Sequence, residues 1–108
     1  LKSKAYCTWN EADIYYGSQN YENACNLFST INIPLQYKGT YLQYYGKALN
    51  QNEEYSKSLE MLNQALSLTS DEVLYTTMGD SYKGLKKYAE AETAYLHGMQ
   101  ASKRVLVQ

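Results

Sequence analysis

The sequence predicts an all-α solenoid of three antiparallel helix pairs, and three observations predict it. The first is an internal repeat. Tyr21-Glu22-Asn23-Ala24 aligns with Tyr55-Ser56-Lys57-Ser58 and Tyr88-Ala89-Glu90-Ala91, at offsets of 34 and 33 residues. The same offsets superimpose Phe28, Leu62 and Tyr95, then Ile31, Ala65 and Gly98. A period of this size marks stacked units, each burying its apolar face on a neighbour. The second observation is helical spacing within each unit. Tyr75, Met78, Gly79 and Tyr82 fall at i, i+3, i+4 and i+7, one face of a helix, and Tyr88, Ala91, Tyr95 and Gly98 form a matching face beyond them. The third is the recurrence of small residues at fixed points: Ala12, Gly46 and Gly79 on the first helices, Ala24, Ser58 and Ala91 on the second. Helices packed about 8–10 Å apart need a small side chain where their axes approach most closely.

Six helices are expected near 4–17, 20–32, 37–50, 54–68, 71–84 and 88–102, with no strand. In the first unit, Ala12 and Tyr15 line one helix and Tyr21, Ala24, Phe28 and Ile31 the next. Pro34, the only proline, ends that second helix, because it lacks an amide donor and restricts the residue before it. In the second unit, Leu42, Tyr45, Gly46 and Leu49 face Tyr55, Leu59, Leu62, Ala65 and Leu66. Asn50-Gln51-Asn52 supplies their turn, and the acids Glu53 and Glu54 sit at the following helix start. The third unit opens with Thr69-Ser70-Asp71-Glu72, a capping box with acid in the first turn. Gly84-Leu85-Lys86-Lys87 is its tight, polar connection.

Composition bounds the rest. One domain is expected at 108 residues. Ten basic against eleven acidic residues leave a net charge of −1, which offers no footprint for nucleic acid. The longest aliphatic run, Val105-Leu106-Val107, is far short of the roughly 20 residues of a membrane helix. The chain starts at Leu1 and is read as a piece of a longer protein. Thirteen tyrosines against one phenylalanine and one tryptophan suit thin layers, where a ring is buried while its hydroxyl stays wet. Cys7 and Cys25 match no metal spacing and read as small core residues or free thiols; a disulfide between them would need an oxidising compartment and helices in contact there.

The pattern Gly79-x-x-Tyr82, then Tyr88-x-x-Ala91, Tyr95 and Gly98 resembles the tetratricopeptide repeat. The resemblance covers about 5–38, 39–71 and 72–105. It implies a right-handed superhelical solenoid that binds a protein or peptide partner in a concave groove. The chain departs from the family pattern at Glu11, Leu49 and Ser58, and Trp9 stands one place later than the family's tryptophan. A further resemblance lies in Tyr44-Tyr45-Gly46-Lys47-Ala48-Leu49 and in Leu74 through Lys83. These strings are similar to the C-terminal repeat tails of Bacteroides-type O-antigen ligases and polymerases, which are multi-span membrane proteins. That resemblance implies a non-catalytic tail on the periplasmic side of a bacterial inner membrane; a free-standing adaptor implies the cytoplasm.

Mapping the family's groove positions onto this chain gives Tyr6, Trp9, Asp13 and Tyr16 from the first unit. Thr40, Gln43, Tyr44, Lys47 and Asn50 follow from the second, then Thr76, Asp80 and Lys83 from the third. Asp13 and Asp80 stand where the family's carboxylate-binding members carry cationic or amide groups, so capture of a partner's C-terminal carboxylate is not expected. An extended peptide or helix held by aromatic anchors, with charges setting its register, is the expected ligand. No catalytic residue, metal site or cofactor is expected. His97 is the only histidine, no motif surrounds it, and no phosphate loop, nucleophile elbow or HExxH occurs. Exposure of Val105, Leu106 and Val107 past the sixth helix predicts end-to-end self-association through that helix, or a partner helix that covers it.

Overall fold

Residues 2–69 and 72–107 are described by the computed structural model, with side chains at 4, 5, 7–69 and 72–102. Helices α1 (Lys2–Gly17), α2 (Tyr21–Phe28), α3 (Leu35–Gln51), α4 (Tyr55–Leu66), α5 (Glu72–Gly84) and α6 (Tyr88–Val107) follow one another, with no strand among the described residues. Each odd helix packs on the next even one, and successive pairs meet through α2–α3, α4–α5 and α3–α5. The fold is therefore an all-α stack of three helix hairpins. Its radius of gyration, 14.1 Å, slightly exceeds the roughly 13 Å of a compact chain this long. Thin layers stacked in a row have that shape.

The core is continuous through the three layers. Ala12, Ala24, Phe28, Leu49, Leu62, Ala65 and Leu74 are all but sealed from solvent. The small residues are required by contact. A Cβ at Gly46 would lie 2.7 Å from the Leu62 side chain, and one at Gly79 would lie 2.5 Å from the Tyr95 ring. The repeat thus records one geometric device, a small residue on the first helix beneath a large one on the second.

Within each hairpin the turn is also the same object. Gln19, Glu53 and Lys86 all have positive φ, at 65°, 62° and 63°. Their amides donate to Tyr16, Asn50 and Lys83, while the amides of Asn20, Glu54 and Lys87 reach back to Tyr15, Leu49 and Tyr82. This is the Schellman arrangement, which satisfies carbonyls left open at a helix end. Residues 50–54 accordingly differ from the sequence expectation. Asn50 and Gln51 are the last residues of α3, Glu53 is the left-handed residue of the turn, and Glu54 is the N-cap of α4, its carboxylate accepting from Asn52. Gly84 also has a different reason from the one expected. Its φ is not positive; instead a Cβ there would lie 2.5 Å from the Tyr55 ring, so the glycine makes room for a ring from α4.

The first junction departs further. α2 stops at Phe28, not near 32, and Pro34 does not end it but caps the start of α3, with φ −57° and ψ 150°. Ser29 and Thr30 hydroxyls bind the carbonyls of Asn26 and Leu27, three residues back, and the amides of Thr30 and Ile31 make three-residue turns. Hydroxyls that compete locally with the helix ladder favour such an ending. Ile31 stays buried outside the helix. The capping box expected at Thr69–Glu72 includes Ser70 and Asp71, which lie outside the described residues.

Where the second and third hairpins meet, polar side chains form a short relay. The Asn50 amide donates to Ser81 (2.8 Å), Ser81 to Ser58 (3.1 Å), and Ser58 to the Gly46 carbonyl (2.6 Å). Both serines are fully buried. Ser58, where the repeat pattern has alanine, is therefore the hinge of a hydrogen-bonded chain that joins α3, α4 and α5.

Candidate functional site

The side of α1 and α3 that carries the expected groove residues is rich in rings. Trp9, half-buried on α1, meets Tyr41 and Tyr44 of α3 edge-on, with both centroids 5.9 Å away. Tyr41 is buried, and its hydroxyl donates to the Phe28 carbonyl, which fixes the base of the corner. Tyr44 is 46% exposed and forms the open wall. Edge-to-face pairs of this kind hold rings in place beyond their burial.

One turn along each helix the surface becomes charged. Lys47 follows Tyr44 on α3, and its Nζ lies 5.8 Å from the centre of the Tyr16 ring of α1. Tyr16 in turn stands edge-on to Tyr21, at 5.3 Å. Asp13 lies on α1 between Trp9 and Tyr16 in sequence, and burial pushes its carboxyl above the usual range. Trp9 with Tyr44, and Tyr16 with Lys47, thus bridge the first two layers, and Asp13 lies between Trp9 and Tyr16 along α1.

Other expected residues are occupied elsewhere. Asn50 is half-buried and spends its amide on Ser81, so it joins layers. Asp80 accepts a hydrogen bond from the Tyr95 hydroxyl of α6; burial and this carboxylate push the phenol up to about 12. The Thr76 hydroxyl donates to the carbonyl of Glu72 in its own helix. Thr40 and Lys83 are exposed and Gln43 is half-buried. The Tyr6 side chain lies outside those described. Tyr41, absent from the expected set, is the ring against which Trp9 rests; its place three residues before Tyr44 is the one sequence signal for it.

Cys7 is exposed and Cys25 buried, and both are free thiols; burial pushes the Cys25 thiol up to about 11. Among the described residues no three His, Cys, Asp or Glu side chains are grouped to hold a metal ion, and no helix is long and apolar enough to cross a membrane.

A stack of helix hairpins with an aromatic, mixed-charge face belongs structurally to the helical-repeat proteins. A sequence model of the tetratricopeptide repeat family matches residues 73–104, the third hairpin. That match supports a tetratricopeptide-type domain, a class whose members generally mediate contacts between proteins. No curated protein matches the chain.

Proposed function

We propose that this chain is a non-catalytic scaffold that holds an extended segment or helix of a partner protein against the exposed faces of its first helices. The Trp9–Tyr41–Tyr44 corner is the observation that carries the reading. Tyr41 is locked from behind, Trp9 is oriented by two rings, and Tyr44 remains open to water. Pre-oriented aromatics with an exposed ring are the usual anchors of protein interfaces. Asp13 and Lys47, one turn away with opposite sign, set the direction in which a partner lies. Pull-down with the Trp9→Ala, Asp13→Lys and Lys47→Glu variants tests this: each weakens capture of the partner, and unchanged capture by all three contradicts the groove.

In the ligase-tail reading, the same scaffold follows the last membrane span of a polysaccharide ligase or polymerase. Fractionation of source cells then recovers the domain in the membrane pellet on a much larger protein, and recovery in the soluble fraction contradicts it. Self-association through α6 is supported by Leu96 and Met99, 48% and 55% exposed. The side chains of Val105, Leu106 and Val107, expected to add to that face, lie outside those described. Light scattering decides the point: a concentration-dependent mass supports it, and a monomer at high concentration contradicts it.

A further inference from the structure

A second surface lies away from the aromatic corner, between the second helices of the last two hairpins. A cleft of about 450 Å³ opens there, floored by Tyr75, Met78 and Tyr82 of α5, with Leu66 of α4 on one side and Ala94, Glu90 and His97 of α6 on the other. Its size falls within the range of ligand-holding cavities. The corresponding place one hairpin earlier is covered by a lysine of the chain itself. By the repeat offset, Tyr45 stands for Met78 and Lys57 for Glu90. Lys57 reaches from α4 across Tyr45, with Nζ 6.0 Å from the ring centre. The Tyr45 hydroxyl, the main influence, raises the Lys57 ammonium above its usual range, with Glu54 and Cys25 of the neighbouring turn and helix contributing. The chain's own lysine thus lies over the ring between α2 and α4. In the third hairpin the lysine is replaced by an acid.

We propose that the α4–α6 cleft receives a lysine side chain from a partner protein, its methylene stem on Met78 and Tyr82 and its ammonium at Glu90. Apolar floor and acidic rim match the two ends of that side chain, which buries its stem and keeps its charge at the surface. Tyr82 adds an aromatic ring toward which an ammonium is attracted. The cleft is distinct from the Trp9–Tyr44 face, so a partner that uses both grips two sides of the solenoid.

The test is an amide-resolved NMR titration of the intact chain with Nα-acetyl-lysine methylamide, alongside the norleucine analogue, which keeps the stem and lacks the charge. The lysine compound gives saturable shifts at Ala89, Thr93, Ala94 and His97, and the norleucine compound binds about fivefold more weakly. Glu90→Gln reduces that preference. Glu90→Lys, which reverses the charge at the rim, abolishes the shifts while the helical circular dichroism stays unchanged. Equal binding of the two compounds, an undiminished preference in Glu90→Gln, or no saturable shift in the unaltered chain overturns the proposal.

Discussion

Gly17 and Gly46 carry the same letter for opposite reasons. Nothing lies within 4 Å of a Cβ built at Gly17, whereas at Gly46 it would meet the sealed Leu62 side chain and approach the Ser58 carbonyl. Gly17→Ala is expected to stabilise the chain by about 0.5 kcal/mol, because it lowers the entropy of the unfolded state at the end of α1. Gly46→Ala is expected to destabilise it by about 1–3 kcal/mol through overpacking. Urea denaturation of both variants reads the difference. The sequence marked Gly46 as a closest-approach residue because its counterparts Ala12 and Gly79 are also small. It carried no such signal for Gly84, whose partner Tyr55 lies on the previous hairpin. Buried Cys25 supplies a pH prediction. Its thiol ionises at about 11 in the folded chain against an ordinary 9.0. The unfolded chain therefore loses the proton first, and stability is lost as pH rises through the interval from 9 to 11. The urea midpoint of the unaltered chain falls across that interval, and Cys25→Ala flattens the fall; an equal slope in both contradicts the assignment.

At the scale of the element, the three turns are the most uniform parts of the fold and the least legible. Helix existence followed from apolar spacing at 3.6 residues and from its threefold recurrence. The left-handed residues did not, because Gln19, Glu53 and Lys86 share no side-chain chemistry and none is glycine or asparagine. The hydrogen bonds that close each preceding helix hold their backbone instead. Each turn keeps strain that glycine would relieve, so Gln19→Gly, Glu53→Gly and Lys86→Gly should each raise stability by up to about 1 kcal/mol. Differential scanning calorimetry checks this, and a lowered melting temperature in all three contradicts it. The early end of α2 was hidden for a related reason. Ile31 continues the apolar period, yet Ser29 and Thr30 turn their hydroxyls onto their own helix and close it first. Of the candidate face, Trp9, Tyr44 and Lys47 were expected from the family's groove positions, and the Trp9–Tyr44 and Tyr16–Lys47 contacts are what the structure adds. The diversion of Asn50 to Ser81 and of Asp80 to Tyr95 was not, since each depends on a contact with a neighbouring helix.

Across the whole molecule, the layers are joined by apolar packing throughout, by the Tyr41 hydroxyl on the Phe28 carbonyl at the first junction, and by the hydroxyl relay at the second. Ser58→Ala leaves the buried Ser81 hydroxyl without its acceptor and should cost about 1–3 kcal/mol. The Ser58→Ala/Ser81→Ala double variant should cost less than the two single losses together, by at least about 0.5 kcal/mol, because it removes both ends of the bond. Additive losses in a denaturation cycle contradict the relay. Rigid joints matter for the proposed function, because the Trp9–Tyr44 corner is built from two different hairpins and keeps its shape only if the layers do not slide.

The central claim, that this corner holds a partner, is tested most directly by site-specific photo-crosslinking in source-cell extract. A benzophenone amino acid replaces Tyr44 in one variant and the exposed Asn63 of α4 in another. The account predicts that the Tyr44 probe links one defined partner segment, that Trp9→Ala abolishes the link, and that the Asn63 probe does not form it. The same products from both positions, or a Tyr44 product that survives Trp9→Ala, would contradict it.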